Sequence, residues 1–146
     1  MDKYNIVMPQ EVKDIIKQIE AAGFEAFAVG GCVRDCILGR TPQDWDITTS
    51  ALPSQIKEIF ARTIDTGIQH GTVTVMIGKT GYEITTYRID GEYKDCRHPE
   101  NVEFSSDLKD DLKRRDFTIN AMAYNDSTGL VDEFGGINDL NKGIIR

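Results

Sequence analysis

Cysteine is scarce: the chain has only Cys32, Cys36 and Cys96. Three cysteines cannot all pair internally. Cys32 and Cys36 lie one helical turn apart and read as small buried apolar groups. Partners with zinc-ligand spacing are missing around them, which argues against a structural zinc site. Positive charge is also short. Lys and Arg number 17 against 24 Asp and Glu, a formal net charge of -7 over 146 residues. A domain that grips nucleic acid by charge alone looks different. An acidic chain can still hold a nucleic acid end through a local basic patch or through other domains. No apolar run approaches membrane-spanning length, and no basic-then-apolar leader opens the sequence. No membrane partner is expected, and the expected location is the cytoplasm. The two commoner phosphate loops, GxxxxGK[ST] and GxGxxG, do not occur. Internal repeats, low-complexity tracts and linkers are absent too. The length and the 40% hydrophobic content suit one soluble domain spanning residues 1–146.

The informative stretch is residues 27–48, FAVGGCVRDCILGRTPQDWDIT. Ahead of it, Val12, Ile15, Ile16 and Ile19 have helical spacing. They predict an amphipathic helix over 9–22, with Pro9 in its first turn and Gly23 at its stop. Residues 24–29 read as a short apolar strand that runs into Gly30 and Gly31. A strand, a glycine pair and a helix form an arrangement able to cradle phosphate. Glycine admits close approach, and the first helical turn offers N–H groups. Arg34 sits on that turn, where a guanidinium can meet phosphate oxygens in a bidentate way. The competing reading is a tight turn that needs glycine only for its backbone angles.

A strand over 44–49 puts Asp44 and Asp46 on one face, with Trp45 and Ile47 on the other. Paired carboxylates suit a hard divalent cation such as magnesium. A solvated pair at a strand end is the plainer alternative. Residues 53–60 predict a short helix with Pro53 in its first turn. Next come Thr63 to Thr66 and a hairpin, with strands over 72–77 and 82–89 and a turn made of Gly78, Lys79, Thr80 and Gly81. Glu83 is either a third carboxylate beside the aspartates or an exposed strand glutamate. His70 reads as a turn or packing residue. Arg88 either faces phosphate or pairs with an acid. Residues 90–101 are polar and aperiodic and read as a mobile loop. Residues 106–113 predict a helix capped by Ser106. The runs AMAYN and LVDEF read as short strands.

Two motifs carry a family resemblance over essentially the whole chain. From Gly30 to Asp46, G-G-x-V-R-D-x-x-L-G-R-x-P-x-D-x-D resembles the motif of class II tRNA nucleotidyltransferases, the CCA-adding enzymes, with their relatives the bacterial poly(A) polymerases. RRDFTINA, residues 114–121, resembles the second motif of that family. The resemblance implies an α+β chain with the DNA polymerase beta-like nucleotidyltransferase fold. Its sheet is expected to be mixed and mostly antiparallel, of about five strands flanked by helices.

It also implies transfer of a nucleoside monophosphate from CTP or ATP to the 3′-hydroxyl of tRNA with release of pyrophosphate, by two-magnesium catalysis with the Mg2+ ions on Asp44 and Asp46. Glu83 is the implied third acid. Gly30, Gly31, Arg34, Arg115, Asp116 and Asn120 are the implied nucleotide contacts. Arg114 reads rather as a surface ion pair with Asp110 or Asp111. Related CC-, A- or poly(A)-adding chemistry stays open, as does a head that binds Mg-nucleotide without productive transfer. The family's base-selecting neck motif does not follow Arg115. The chain is therefore expected to be a catalytic head lacking neck, body and tail domains. Its oligomeric state is left open.

Overall fold

The computed structural model describes residues 6, 8–42, 44–67, 71–89, 103–104, 107–113, 118–132, 134–136, 139 and 142–143. Helix α1 spans Gln10–Ala21 and buries Val12, Ile15, Ile16 and Ile19, the stripe that the spacing predicts. Pro9 stands just before the helix, at its cap, rather than within the first turn. Its carbonyl accepts from Lys13 N–H, so the missing proline donor costs the helix nothing. At the other end Phe24 N–H bonds the Ile19 carbonyl and Gly23 takes a left-handed φ of 97°. That is how glycine closes a helix.

Strand β1 (Ala26–Val29) is buried along its whole length. Ala26 and Ala28 pack into the larger core, with α1 residues, Ile47 and Ile84. Phe27 and Val29 pack into a second core with Tyr87, Leu108, Leu112, Ala121 and Ala123. Alternate residues of one strand thus feed two layers, which explains an apolar run without polar alternation. Helix α2 is Gly31–Ile37, β2 is Asp46–Thr49 and α3 is Pro53–Ile59. Strands β3 (Thr63–Gly67), β4 (Thr72–Ile77) and β5 (Thr80–Thr86) follow. Next come β6 (Arg88–Ile89), β7 (Glu103–Phe104), α4 (Leu108–Lys113), β8 (Ala123–Asn125) and β9 (Gly129–Val131). A 3-10 turn, Thr118–Asn120, precedes β8.

The main sheet has seven strands in the order β3-β4-β5-β2-β1-β8-β9. Among the described residues only β2 and β5 run parallel; the other neighbours are antiparallel. Strands β6 and β7 pair separately. The sheet is mixed and mostly antiparallel, as expected, but larger than about five strands. At one edge β3 joins through its pairing with β4; at the other, β9 overlaps the run LVDEF that the sequence marks as a strand. The hairpin turn also tightens. Ile77 pairs with Thr80, so Gly78 and Lys79 alone form the loop and Thr80 and Gly81 are strand. A glycine at φ 61° suits such a two-residue turn.

The strand expected over 44–49 begins only at Asp46, although the alternation holds outside it: Asp44 and Asp46 are exposed, Trp45 and Ile47 buried. Helix α4 is capped by Asp107, whose carboxylate accepts from Lys109 N–H at 3.0 Å. The expected cap, Ser106, lies outside the described residues, as do the loop over 90–101 and His70. Buried threonines of the sheet are satisfied internally. Thr48 Oγ1 donates to the Thr85 carbonyl at 3.2 Å, and Thr86 Oγ1 to the Ala51 carbonyl at 2.7 Å. Among the described residues no helix is long and apolar enough to cross a membrane.

Candidate active site

The sheet order sets the site. Asp46 opens β2, between β1 and β5. On one side it pairs with Val29, the last residue before the glycine turn. On the other it pairs in parallel register with Glu83. In-register neighbours point to the same face at a spacing of about 4.8 Å. The aspartate pair is therefore flanked by the glycine turn and by Glu83. Each flank is a cleft. One, of about 420 Å3, is lined by Gly31, Cys32, Asp35, Arg40, Thr41, Asp44 and Asp46. The other, of about 360 Å3, has Asp44, Asp46 and Glu83 in its wall with Tyr82, Thr80 and Pro42. Both aspartates belong to both.

The two glycines serve different needs. Gly30 takes φ 82° and ψ -136°, a conformation closed to side-chain-bearing residues. Its N–H donates to the Met122 carbonyl at 3.1 Å, so Gly30 ties the turn to the chain before β8. Gly31 has no such backbone demand, since its φ is not positive. It is small because a Cβ there would lie 3.3 Å from Nη2 of Arg34. The turn and the arginine are thus packed together.

Arg34 is held on two sides. Asp35 Oδ1 accepts from Nε and from Nη2, each at 3.2 Å. Asn120 Oδ1 accepts from Nη1 at 3.0 Å. The side chains of Arg34 and Asp35 are 32% and 26% exposed, so water still reaches the pair. Asn120 ends the 3-10 turn that follows the arginine pair in the sequence. That turn is anchored from behind. Thr118 Oγ1 donates to the wholly buried Asp139 carboxylate. Gly136 lies so close that a Cβ there would stand 2.3 Å from the Thr118 carbonyl.

Beneath the aspartates, Cys32 Sγ donates to the Val29 carbonyl at 3.3 Å. Burial pushes its thiol up to about 11, so at neutral pH it is a protonated packing group. Cys36 is also raised, by burial and then by the Asp35 charge. Among the described residues no three His, Cys, Asp or Glu side chains form a metal cluster. Exposed Asp44 and Asp46 suit magnesium, which takes one or two carboxylates and completes its shell with water and phosphate oxygens.

Of the residues singled out in the sequence, Asp44, Asp46 and Glu83 border one cleft, and Gly31 joins the aspartates around the other. Arg34 and Asn120 are joined by a hydrogen bond across 86 positions. Arg115 and Asp116 lie outside the described residues, as does Arg114. Two charged residues of the cleft went unassigned: Asp35 and Arg40. Both stand inside the first motif, and their place there was the signal that could have found them.

The family model for the Poly A polymerase head domain matches residues 26–146. The CCA-adding enzyme of Lactiplantibacillus plantarum is 53% identical over 137 residues, 94% of this chain and 34% of the relative. That of Streptococcus suis is 54% identical over 137 residues, again 94% and 34%. Among solved structures, the Bacillus stearothermophilus CCA-adding enzyme in complex with CTP is 44% identical with a TM-score of 0.85, over 96% of this chain and 34% of that one. A tRNA nucleotidyltransferase complexed with a primer tRNA and an incoming ATP analog is 34% identical with a TM-score of 0.70, over 90% and 38%. The chain spans about a third of the length of the curated relatives it matches.

Proposed function

This chain belongs to the poly(A) polymerase head-domain family, and from that premise we propose that it is the catalytic head of a tRNA nucleotidyltransferase of the CCA-adding kind. The relatives named above are CCA-adding enzymes, and one is solved with CTP. The observation that carries the reading is the aspartate pair. Asp44 and Asp46 border two clefts, one beside the glycine turn and one beside Glu83. This arrangement suits an in-line displacement, in which nucleophile and leaving group lie on opposite sides of the phosphorus. The reaction is attack of a tRNA 3′-hydroxyl on the α-phosphorus of CTP or ATP, with pyrophosphate leaving.

Asp44 and Asp46 would hold Mg2+. When bound, it activates the attacking hydroxyl and neutralises charge on the triphosphate. Glu83 adds a third carboxylate on the attacking side. Gly31 lets the nucleotide approach the backbone closely, while Gly30 shapes the turn. Arg34, with Arg115 and Asp116, forms the nucleotide-binding set, with Asn120 behind them, and Arg40 brings a further positive charge to the triphosphate cleft. The rest of the enzyme, including base selection and most tRNA contacts, belongs to domains outside this chain, and the reaction takes place in the cytoplasm.

The test uses the full-length protein that carries this chain, with labelled CTP and a tRNA lacking its terminal CCA. Asp44→Ala or Asp46→Ala is expected to reduce addition by about a hundred- to a thousandfold, the order expected when a charge-stabilising element is removed. The fold, followed by circular dichroism, is expected to survive, because both side chains are exposed. Near-normal addition by either variant overturns the assignment.

A further inference from the structure

A guanidinium has five N–H donors in one rigid plane. In Arg34 three of them are engaged by two side chains: Nε and Nη2 by Asp35, Nη1 by Asn120. The acceptors belong to different parts of the chain, one on α2 and the other on the 3-10 turn before β8. A flat group bonded on both arms of its fork cannot swivel without breaking one of these bonds. Gly31 leaves room for this arrangement, because a Cβ there would stand 3.3 Å from Nη2.

The charge balance is unusual for a phosphate-binding arginine. Asp35 offsets part of its positive charge and lines the same cleft as Asp44 and Asp46. On electrostatics alone a neutral residue at position 35 serves a triphosphate better. What Asp35 provides is geometry. It occupies the Nε edge, and these three bonds leave one N–H on each terminal nitrogen. Paired terminal N–H groups match two oxygens of a phosphate.

We infer that Asp35 and Asn120 are positioning residues: they touch Arg34 and hold its guanidinium in the orientation that binds the triphosphate of the incoming nucleotide. Arg34 itself is not among the residues that line the cleft, although Gly31 and Asp35 of the same helix are, and the inference rests on reading that cleft as the nucleotide site. It also gives Asn120 a role through Arg34 rather than through the nucleotide itself.

The experiment is a pair of double-mutant cycles in the full-length protein, with KM for CTP and kcat measured separately. D35A and N120A are each expected to raise KM about tenfold, the order one charge-assisted hydrogen bond is worth. A kcat within about twofold of the parent marks the loss as one of binding. D35N keeps an oxygen acceptor for Nε and Nη2 and is expected to restore most of the affinity that D35A loses. R34A combined with D35A or N120A is expected to be no worse than R34A alone, because the effect passes through Arg34.

Losses that add to that of R34A overturn the inference, as does an unchanged KM in the folded single variants. Thermal melts establish folding; if D35A does not fold, the N120A cycle decides. If R34A itself leaves KM for CTP unchanged, the nucleotide reading of the cleft fails and this inference with it. If R34A raises KM while D35A and N120A do not, only the inference falls.

Discussion

Gly31 shows how one missing methyl group can serve a site. Its backbone is helical and would accept alanine, which gains about 1 kcal/mol of intrinsic helix propensity. Yet a Cβ would stand 3.3 Å from Arg34 Nη2, so the guanidinium would have to move by a few tenths of an ångström. Stability and function should therefore part company. Gly31→Ala is expected to melt no lower than the parent while its KM for CTP rises severalfold. A matched melting curve and a nucleotide titration check this together, and a fall in melting temperature with unchanged KM contradicts it. Tyr87 serves a structural end instead. Its ring is wholly buried, and its hydroxyl donates to Glu25 Oε1 at 3.0 Å. Burial, and then the Glu25 charge, push its pKa well above the ordinary tyrosine value, so it remains a neutral donor.

Among the elements, α1 carries no site residue but covers the sheet behind the glycine turn. Its stripe of Val12, Ile15, Ile16 and Ile19 joins the core that also holds Ala28, Cys32, Val33 and Ile47. The floor of the site and the inner face of α1 are one packed volume. Ile15 is wholly buried there. Ile15→Ala removes its contacts and leaves a cavity, and is expected to destabilise the fold by about 2–5 kcal/mol. Urea unfolding followed by circular dichroism measures this, and a loss below 1 kcal/mol would mean that the site is not braced from this side. The segment after β9 has a comparable part. Gly136 N–H donates to Asp132 Oδ1 at 2.6 Å, and Asp139 anchors Thr118. Those contacts fix the turn that presents Asn120 to Arg34.

At the scale of the molecule, the central three strands bring together parts of the chain that are distant in sequence. Val29, Asp46 and Glu83 become neighbours only because β2 lies between β1 and β5. On the proposed function, this open, carboxylate-lined cleft would take nucleotide together with its cation, and stability is then expected to follow both. Mg-CTP at about 100 times its Kd adds about 2.7 kcal/mol to the native state, which raises the melting temperature by several degrees. EDTA is expected to abolish the shift, and so is Asp46→Ala. A shift that survives EDTA would show that the cation plays no part in holding the nucleotide.

The sequence by itself determined the local pieces and the chemical types. Helical spacing marked α1, and a two-residue period marked β4. A glycine pair before an arginine, with two aspartates after it, marked the residues worth placing. These are short-range properties, because helix and strand periods and turn residues act within a few positions. The resemblance of two motifs supplied the fold and the chemistry, which spacing alone left open between a phosphate turn and a plain one. The tertiary structure decided how these pieces share work. It showed that Gly30 spends its N–H on Met122, whereas Gly31 makes room for Arg34. It showed that Asn120 bonds Arg34 from the 3-10 turn before β8, and that Asp35 and Arg40 share the cleft of the aspartates. It also added the edge strand β3, which is held by its pairing with β4. Each of these depends on which strand lies beside which, and adjacency in a sheet is settled by packing the whole core rather than by any single segment.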